Sequence, residues 1–325
     1  MPRTPQEARK RRSLRAALQR LREVYSDEEA GSLLDGFDAA RRDSIGFRAI
    51  TGALERFYPL RRFLALAAEV FDPVLGEYGL HRGCARMMEA AGVDWQHHGL
   101  GEGDEIIATA PIIFCTNHPS LLTPFLVAAA VGREDLRFLT TTYVRRLLPN
   151  LRPYSVAFEI PLTRSWTEWR RGGFRRVLVY RLLSLLHDMP PVEAAREINR
   201  RALRDGAEHL RRGGCVFIAP GGGGKRDRRW FGGIGVLARD LIERPGDYPI
   251  YVVPVREENS SNQRVYARLM QGPIARLKNV TLHRKPVRIT FGLPKPLHDL
   301  VDPASTIEET VVSLRAYYRE QLEGG

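Results

Sequence analysis

The 325-residue chain is 43% hydrophobic and 27% charged, a globular rather than a disordered balance, with room for one large domain or two smaller ones. Its three cysteines, Cys84, Cys115 and Cys215, form no C-x-x-C pair and no even framework, which argues against disulfides and zinc and fits a reducing compartment. The net charge of +12 points to an anionic partner (nucleic acid, an anionic membrane surface or a phosphorylated substrate), and residues 161–230, with 16 Lys and Arg against 7 Asp and Glu, carry +9 of it.

The N-terminus, M-P-R-T-P-Q-E-A-R-K-R-R, is charged with no apolar segment behind it, so no secretory signal is expected. No run of about 18 apolar residues predicts a membrane-spanning helix. Residues 5 to about 93 read as helical. Leu14, Leu18, Leu21 and Tyr25 keep a three-four spacing, as do Leu60, Phe63, Leu64 and Ala67. S-D-E-E at 26–29 has the pattern of a capping box with Ser26 as the cap. The expectation is a small helical domain over 1–93.

From residue 94 short apolar runs alternate with helical stretches. Strands are predicted at 111–116, 137–142, 156–162, 215–219, 250–255 and 287–292, and helices at 122–131, 192–212, 233–243 and 306–322. That alternation predicts an α/β domain over 94–325, built on a largely parallel mixed sheet flanked by helices.

Two strand ends carry polar residues of interest. Asn117 and His118 follow the strand at 111–116; Pro119 biases His118 away from helical geometry and Ser120 is placed to cap the next helix. Ligands of open α/β sheets bind beyond the carboxyl ends of strands, where a histidine is placed to act as a general base. As an isolated motif, N-H-P fits equally a histidine that only hydrogen-bonds within its loop. The second end is C-V-F-I-A-P-G-G-G-G-K-R-D-R-R-W at 215–230, where Gly221, Gly222, Gly223 and Gly224 precede Lys225, Arg226 and Arg228. Backbone amides freed by glycine, with guanidinium groups beside them, make a phosphate cradle. A P-loop is excluded, because Ala219 replaces its first glycine and Arg226 its Ser or Thr. A third segment, F-E-I-P-L-T-R-S at 158–165, presents Arg164 after a strand.

These segments, in order, resemble the glycerolipid acyltransferase superfamily, the glycerol-3-phosphate and lysophosphatidate acyltransferases. N-H-P-S-L-L-T-P is similar to its N-H-x-x-x-x-D block, F-E-I-P-L-T-R to the second and V-V-P-V at 252–255 to the fourth. F-I-A-P-G-G-G-G-K-R-D-R resembles the third block in the form found in soluble plastid-type glycerol-3-phosphate acyltransferases. The resemblance implies that His118 takes a proton from an acceptor hydroxyl, which attacks the thioester of acyl-CoA or acyl carrier protein, with no cofactor. It implies that Arg164, Lys225, Arg226 and Arg228 hold the acceptor's phosphate, and that amides of the 117–121 turn or the glycine loop face the oxyanion.

The sequence departs from the family at Thr123, where the block has an aspartate that orients the histidine. A hydroxyl can accept the imidazole N–H but carries no charge, and replacing the orienting Asp by Asn in serine proteases costs about 10⁴ in kcat. Three explanations stand open: a weak or inactive relative that binds lipid or acyl-CoA, another carboxylate such as Glu159, or a substitution at position 123. The segment 170–186, basic and then apolar, fits a cytoplasmic protein lying peripherally on an anionic membrane face, and equally a core helix with a solvated basic end. Trp166, Trp169 and Trp230 could stack on bases, but no nucleic-acid recognition motif accompanies them.

Overall fold

The computed structural model describes residues 14–26, 32–55, 60–101, 105–159, 190–222, 230–259 and 286–322. Helices α1 (Leu14–Ser26), α2 (Leu33–Asp43) and α3 (Ile45–Glu55) close a small core of Ala17, Leu21, Phe37, Ala40 and Phe47, against which Leu60 and Leu64 of α4 (Leu60–Leu66) rest. Ser26, expected to open a helix, is instead the last residue of α1. The observed cap is Ser32, whose Oγ accepts from Asp35 N at 3.1 Å and donates to Asp35 Oδ2 at 2.8 Å.

A π-helical turn, Ala67–Phe71, leads into α5 (Asp72–Ala90), which breaks at Gly79 (φ 75°, ψ −170°). The amides freed there, Leu80 N and His81 N, donate to the Glu134 carboxylate at 2.7 and 3.0 Å. A Cβ at position 79 would lie 2.9 Å from Glu134 Oε2, so this capping requires glycine.

The rest is three layers. The strands are β1 (Trp95–His98), β2 (Ile112–Thr116), β3 (Leu136–Thr141), β4 (Ser155–Phe158), β5 (Cys215–Ile218), β6 (Tyr251–Glu258), β7 (Val287–Phe291) and β8 (Lys295–Pro296). They form one sheet in the order β1-β7-β6-β2-β5-β3-β4, with β8 beside β6. All pairs are parallel except β6–β7 and β6–β8, as expected of a largely parallel mixed sheet. Helices intervene as α6 (Glu105–Thr109), α7 (Thr123–Val131), α8 (Thr142–Leu147), α9 (Val192–Arg211), α10 (Gly233–Glu243) and α11 (Ile307–Leu322).

The period of two along the central strands explains the layering. Ile112, Phe114, Cys215, Phe217, Val253 and Val255 face a core shared with α5 and α7; Ile113, Cys115, Val216, Ile218 and Val252 face one shared with α9, α10 and α11. Every residue of β2 is buried, the mark of a parallel strand covered on both faces. Because β2 to β6 run the same way, their carboxyl ends meet at one edge.

Candidate active site

At that edge β2 lies between β5 and β6, with Thr116 paired to Val255 and Cys115 to Ile218. The chain leaves β2 at Asn117 and enters α7 at Thr123, so the N-H-P turn sits where two parallel neighbours also end. Asn117 is a clamp: its Oδ1 accepts from Glu257 N at 2.8 Å and its Nδ2 donates to Glu257 O at 3.1 Å. A side-chain amide thereby continues the β2–β6 ladder one step past the strand.

His118 is half-buried, with Nδ1 enclosed and without a hydrogen-bond partner. Burial disfavours its charged form and lowers its pKa from 6.5 to about 4, leaving a neutral imidazole at physiological pH. Thr123 is fully buried, and its hydroxyl donates to Ser120 O at 2.8 Å and receives Ser120 N at 3.4 Å. It holds the first turn of α7 and does not bind His118.

Ser120 Oγ accepts from Leu122 N at 3.3 Å, as a cap does, and donates at 2.9 Å to Glu257 Oε1. Glu257 was not among the residues singled out from the sequence. It lies on β6, 2% exposed, and its Oε2 is enclosed without a partner. Burial raises its pKa from 4.5 to about 7, against the opposing effect of the Thr123 and Ser120 hydroxyls. An enclosed polar atom without a partner costs about 1–3 kcal/mol, and this turn holds two, His118 Nδ1 and Glu257 Oε2. The signal was legible in V-V-P-V-R-E-E: period two puts Glu257 on the same face as Val253 and Val255, and an acid on a buried face asks for a reason.

Glu159, considered as the missing carboxylate, is bound elsewhere. It accepts from Thr142 Oγ1, and its backbone pairs with Asn199 at 2.7 and 2.9 Å. It follows the last residue of β4, three strands from β2, or about 14 Å at the usual strand spacing. The glycine loop leaves β5 just after Ile218, the partner of Cys115 on β2: Gly222 (φ 67°) turns with its amide on Ala219 O, and Phe231 N returns to Pro220 O, both at 2.9 Å. Gly221 and Gly222 are therefore placed at the edge, whereas Gly223, Gly224, Lys225, Arg226, Arg228, Arg164 and the basic segment 170–186 lie outside the described residues. Among the described residues no group of three His, Cys, Asp or Glu could hold a metal, and no helix is long and apolar enough to cross a membrane.

No protein-family model and no curated protein matches the chain. Among solved structures, the 1-acyl-sn-glycerophosphate (LPA) acyltransferase PlsC from Thermotoga maritima is similar at 15% identity, with a TM-score of 0.43, over 85% of this chain and 97% of that one.

Proposed function

We propose that this protein is an O-acyltransferase that moves a fatty acyl group from acyl-CoA or acyl carrier protein to the hydroxyl of a phosphorylated glycerol-type acceptor, glycerol-3-phosphate or lysophosphatidate. The observation that supports it is the half-buried, neutral His118 at the carboxyl edge of β2, clamped through Asn117 beside the start of the glycine loop. A neutral imidazole is the form a general base must have, and the crevice outside the strand ends is where such a sheet takes its ligand.

In this reading Nδ1 is the enclosed nitrogen and Nε2 serves the acceptor. His118 Nε2 takes the hydroxyl proton as the oxygen bonds to the thioester carbonyl carbon. The tetrahedral adduct collapses with cleavage of the carbon–sulfur bond, and the proton passes from Nε2 to the departing sulfur, giving ester and thiol. Lys225, Arg226, Arg228 and Arg164 would hold the acceptor's phosphate, converting remote binding energy into positioning. The lipid substrates favour work at a membrane face, with 170–186 as the segment that meets it.

The test is free-thiol release from long-chain acyl-CoA, with and without each acceptor. Acceptor-dependent release is expected, falling by about 10²–10⁴ in His118→Ala, the usual contribution of a general base. Release absent with both acceptors, alongside retained acyl-CoA binding, would favour a second reading, a lipid or acyl-CoA binding protein that has lost the chemistry. The neutral Thr123 in place of a carboxylate is the observation on that side.

A further inference from the structure

We infer that Glu257 is the residue that positions His118, supplying from strand β6 the carboxylate that position 123 lacks on α7. The role rests on the acyltransferase reading, whereas the pairing itself rests on strand register and the two unpartnered atoms. The β2–β6 register, Thr116 opposite Val255, carries on to set His118 opposite Glu257, and the two hydrogen bonds between Asn117 and the Glu257 backbone hold that alignment beyond the strand. Glu257 shares the face of Val253 and Val255, turned toward the start of α7, where Ser120 fixes its Oε1 at 2.9 Å. Its other oxygen, Oε2, and His118 Nδ1 are the two enclosed atoms of this turn without partners, one an acceptor and the other a donor when protonated. Hydrogen bonds of catalytic groups are commonly long in ligand-free structures and close in the substrate complex.

The same arrangement gives Thr123 a reason. Its Oγ1 lies 3.5 Å from Ser120 Oγ, the donor to Glu257. An aspartate at 123 would put two carboxylates in one buried site, and like charges there oppose ionisation of both. Among the described residues no other charge faces Glu257: β7 offers Ile289 opposite it, α7 offers Ser120 and Thr123, and Arg256 and Glu258, adjacent to it in a strand of period two, take the other face and pair at 3.1 Å. Ionised, Glu257 accepts Nδ1–H and leaves the Nε2 lone pair free for the acceptor proton. Protonated, it donates to Nδ1 and the histidine keeps its proton on Nε2, the tautomer that cannot act as base there. With Glu257 pushed up to about 7, the working tautomer is gained as pH rises through neutrality.

The first experiment needs no activity. ¹⁵N spectra of histidine-labelled full-length protein, with His118 assigned by its absence in His118→Ala, should show the Nδ1–H tautomer at about pH 8.5, converting to Nε2–H as pH falls through about 7. A His118 that keeps Nε2–H throughout overturns the inference whether or not the variants fold, and so does a conversion unchanged in Glu257→Gln. In the acyl-transfer assay, Glu257→Gln should lower kcat by about 10²–10⁴ with KM within about threefold. Adding Thr123→Asp to Glu257→Gln should restore much of it, while Thr123→Asp alone gives no gain. A faster Thr123→Asp single variant, or a Glu257→Gln variant as active as wild type, would sink the idea. If the tautomer switch is present and no acyl transfer occurs, the pair stands and the acyltransferase reading falls.

Discussion

Between about pH 4.5 and 6.5 the two buried groups at the ends of β2 and β6 exchange a proton on folding. Glu257, raised from 4.5 to about 7, takes one up; His118, lowered from 6.5 to about 4, gives one off. Uptake alone makes stability fall as pH rises, and release alone makes it rise, so their slopes oppose and the pair is close to pH-neutral. Each single variant uncovers the other slope. Relative to wild type, His118→Ala should lose stability with rising pH from about 4 to 6.5, by about 1.4 kcal/mol per unit, and Glu257→Gln should gain it over about pH 4.5 to 7 at a similar rate. Urea midpoints at half-unit pH steps read both, and parallel curves for all three proteins would refute the assignment. At this scale His118 and Asn117 were legible, because a polar pair interrupting an apolar strand announces itself. Glu257 was harder to single out, since it stands 140 residues from Asn117 and only strand pairing brings them together.

Among elements, α5 depends on a carboxylate from another part of the chain. Glu134, just after α7, caps the half-helix that restarts after Gly79, receiving Leu80 N and His81 N. Glu134→Ala strands both amides and should cost about 1–2 kcal/mol, with faster hydrogen exchange at Leu80 and His81 than in wild type. Unchanged exchange at those two amides would show that solvent or a neighbour replaces the cap. The major elements followed from periodicity: the predicted strands and helices match the observed ones to within a few residues wherever both are described. The strands not predicted, β1 and β8, are W-Q-H-H and K-P, too short and polar to carry a period-two signal; β1 exists because β7 hydrogen-bonds along it. Gly99 seals that pairing, since a Cβ there would lie 2.1 Å from Phe291 O.

For the molecule as a whole, the helical and α/β parts are joined through one core. Residues 67–91 of the helical segment lie in the same apolar cluster as Phe114, Leu126 and Val253 of the sheet side, whereas α1 to α3 keep their own small core. The +12 charge belongs to this scale too. A polyanionic donor such as acyl-CoA should feel it, so its apparent KM should rise several-fold between about 50 and 300 mM salt, while that of an uncharged acyl-pantetheine stays flat. Equal salt responses of the two donors would show that the charge serves something other than the donor.

Burial periodicity, proline and glycine act over a few residues, so the α/β class, the position of most elements and the N-H-P turn are legible in the chain without any fold. Which strands lie side by side emerges only when the chain packs, and with it the order β7-β6-β2-β5 that brings Glu257 to Asn117 and Ser120 and carries Glu159 away. Strand order is set by packing both faces of a sheet at once, a property of the whole chain that no local pattern encodes. The buried carboxylate in the N-H-P turn is a consequence of that order.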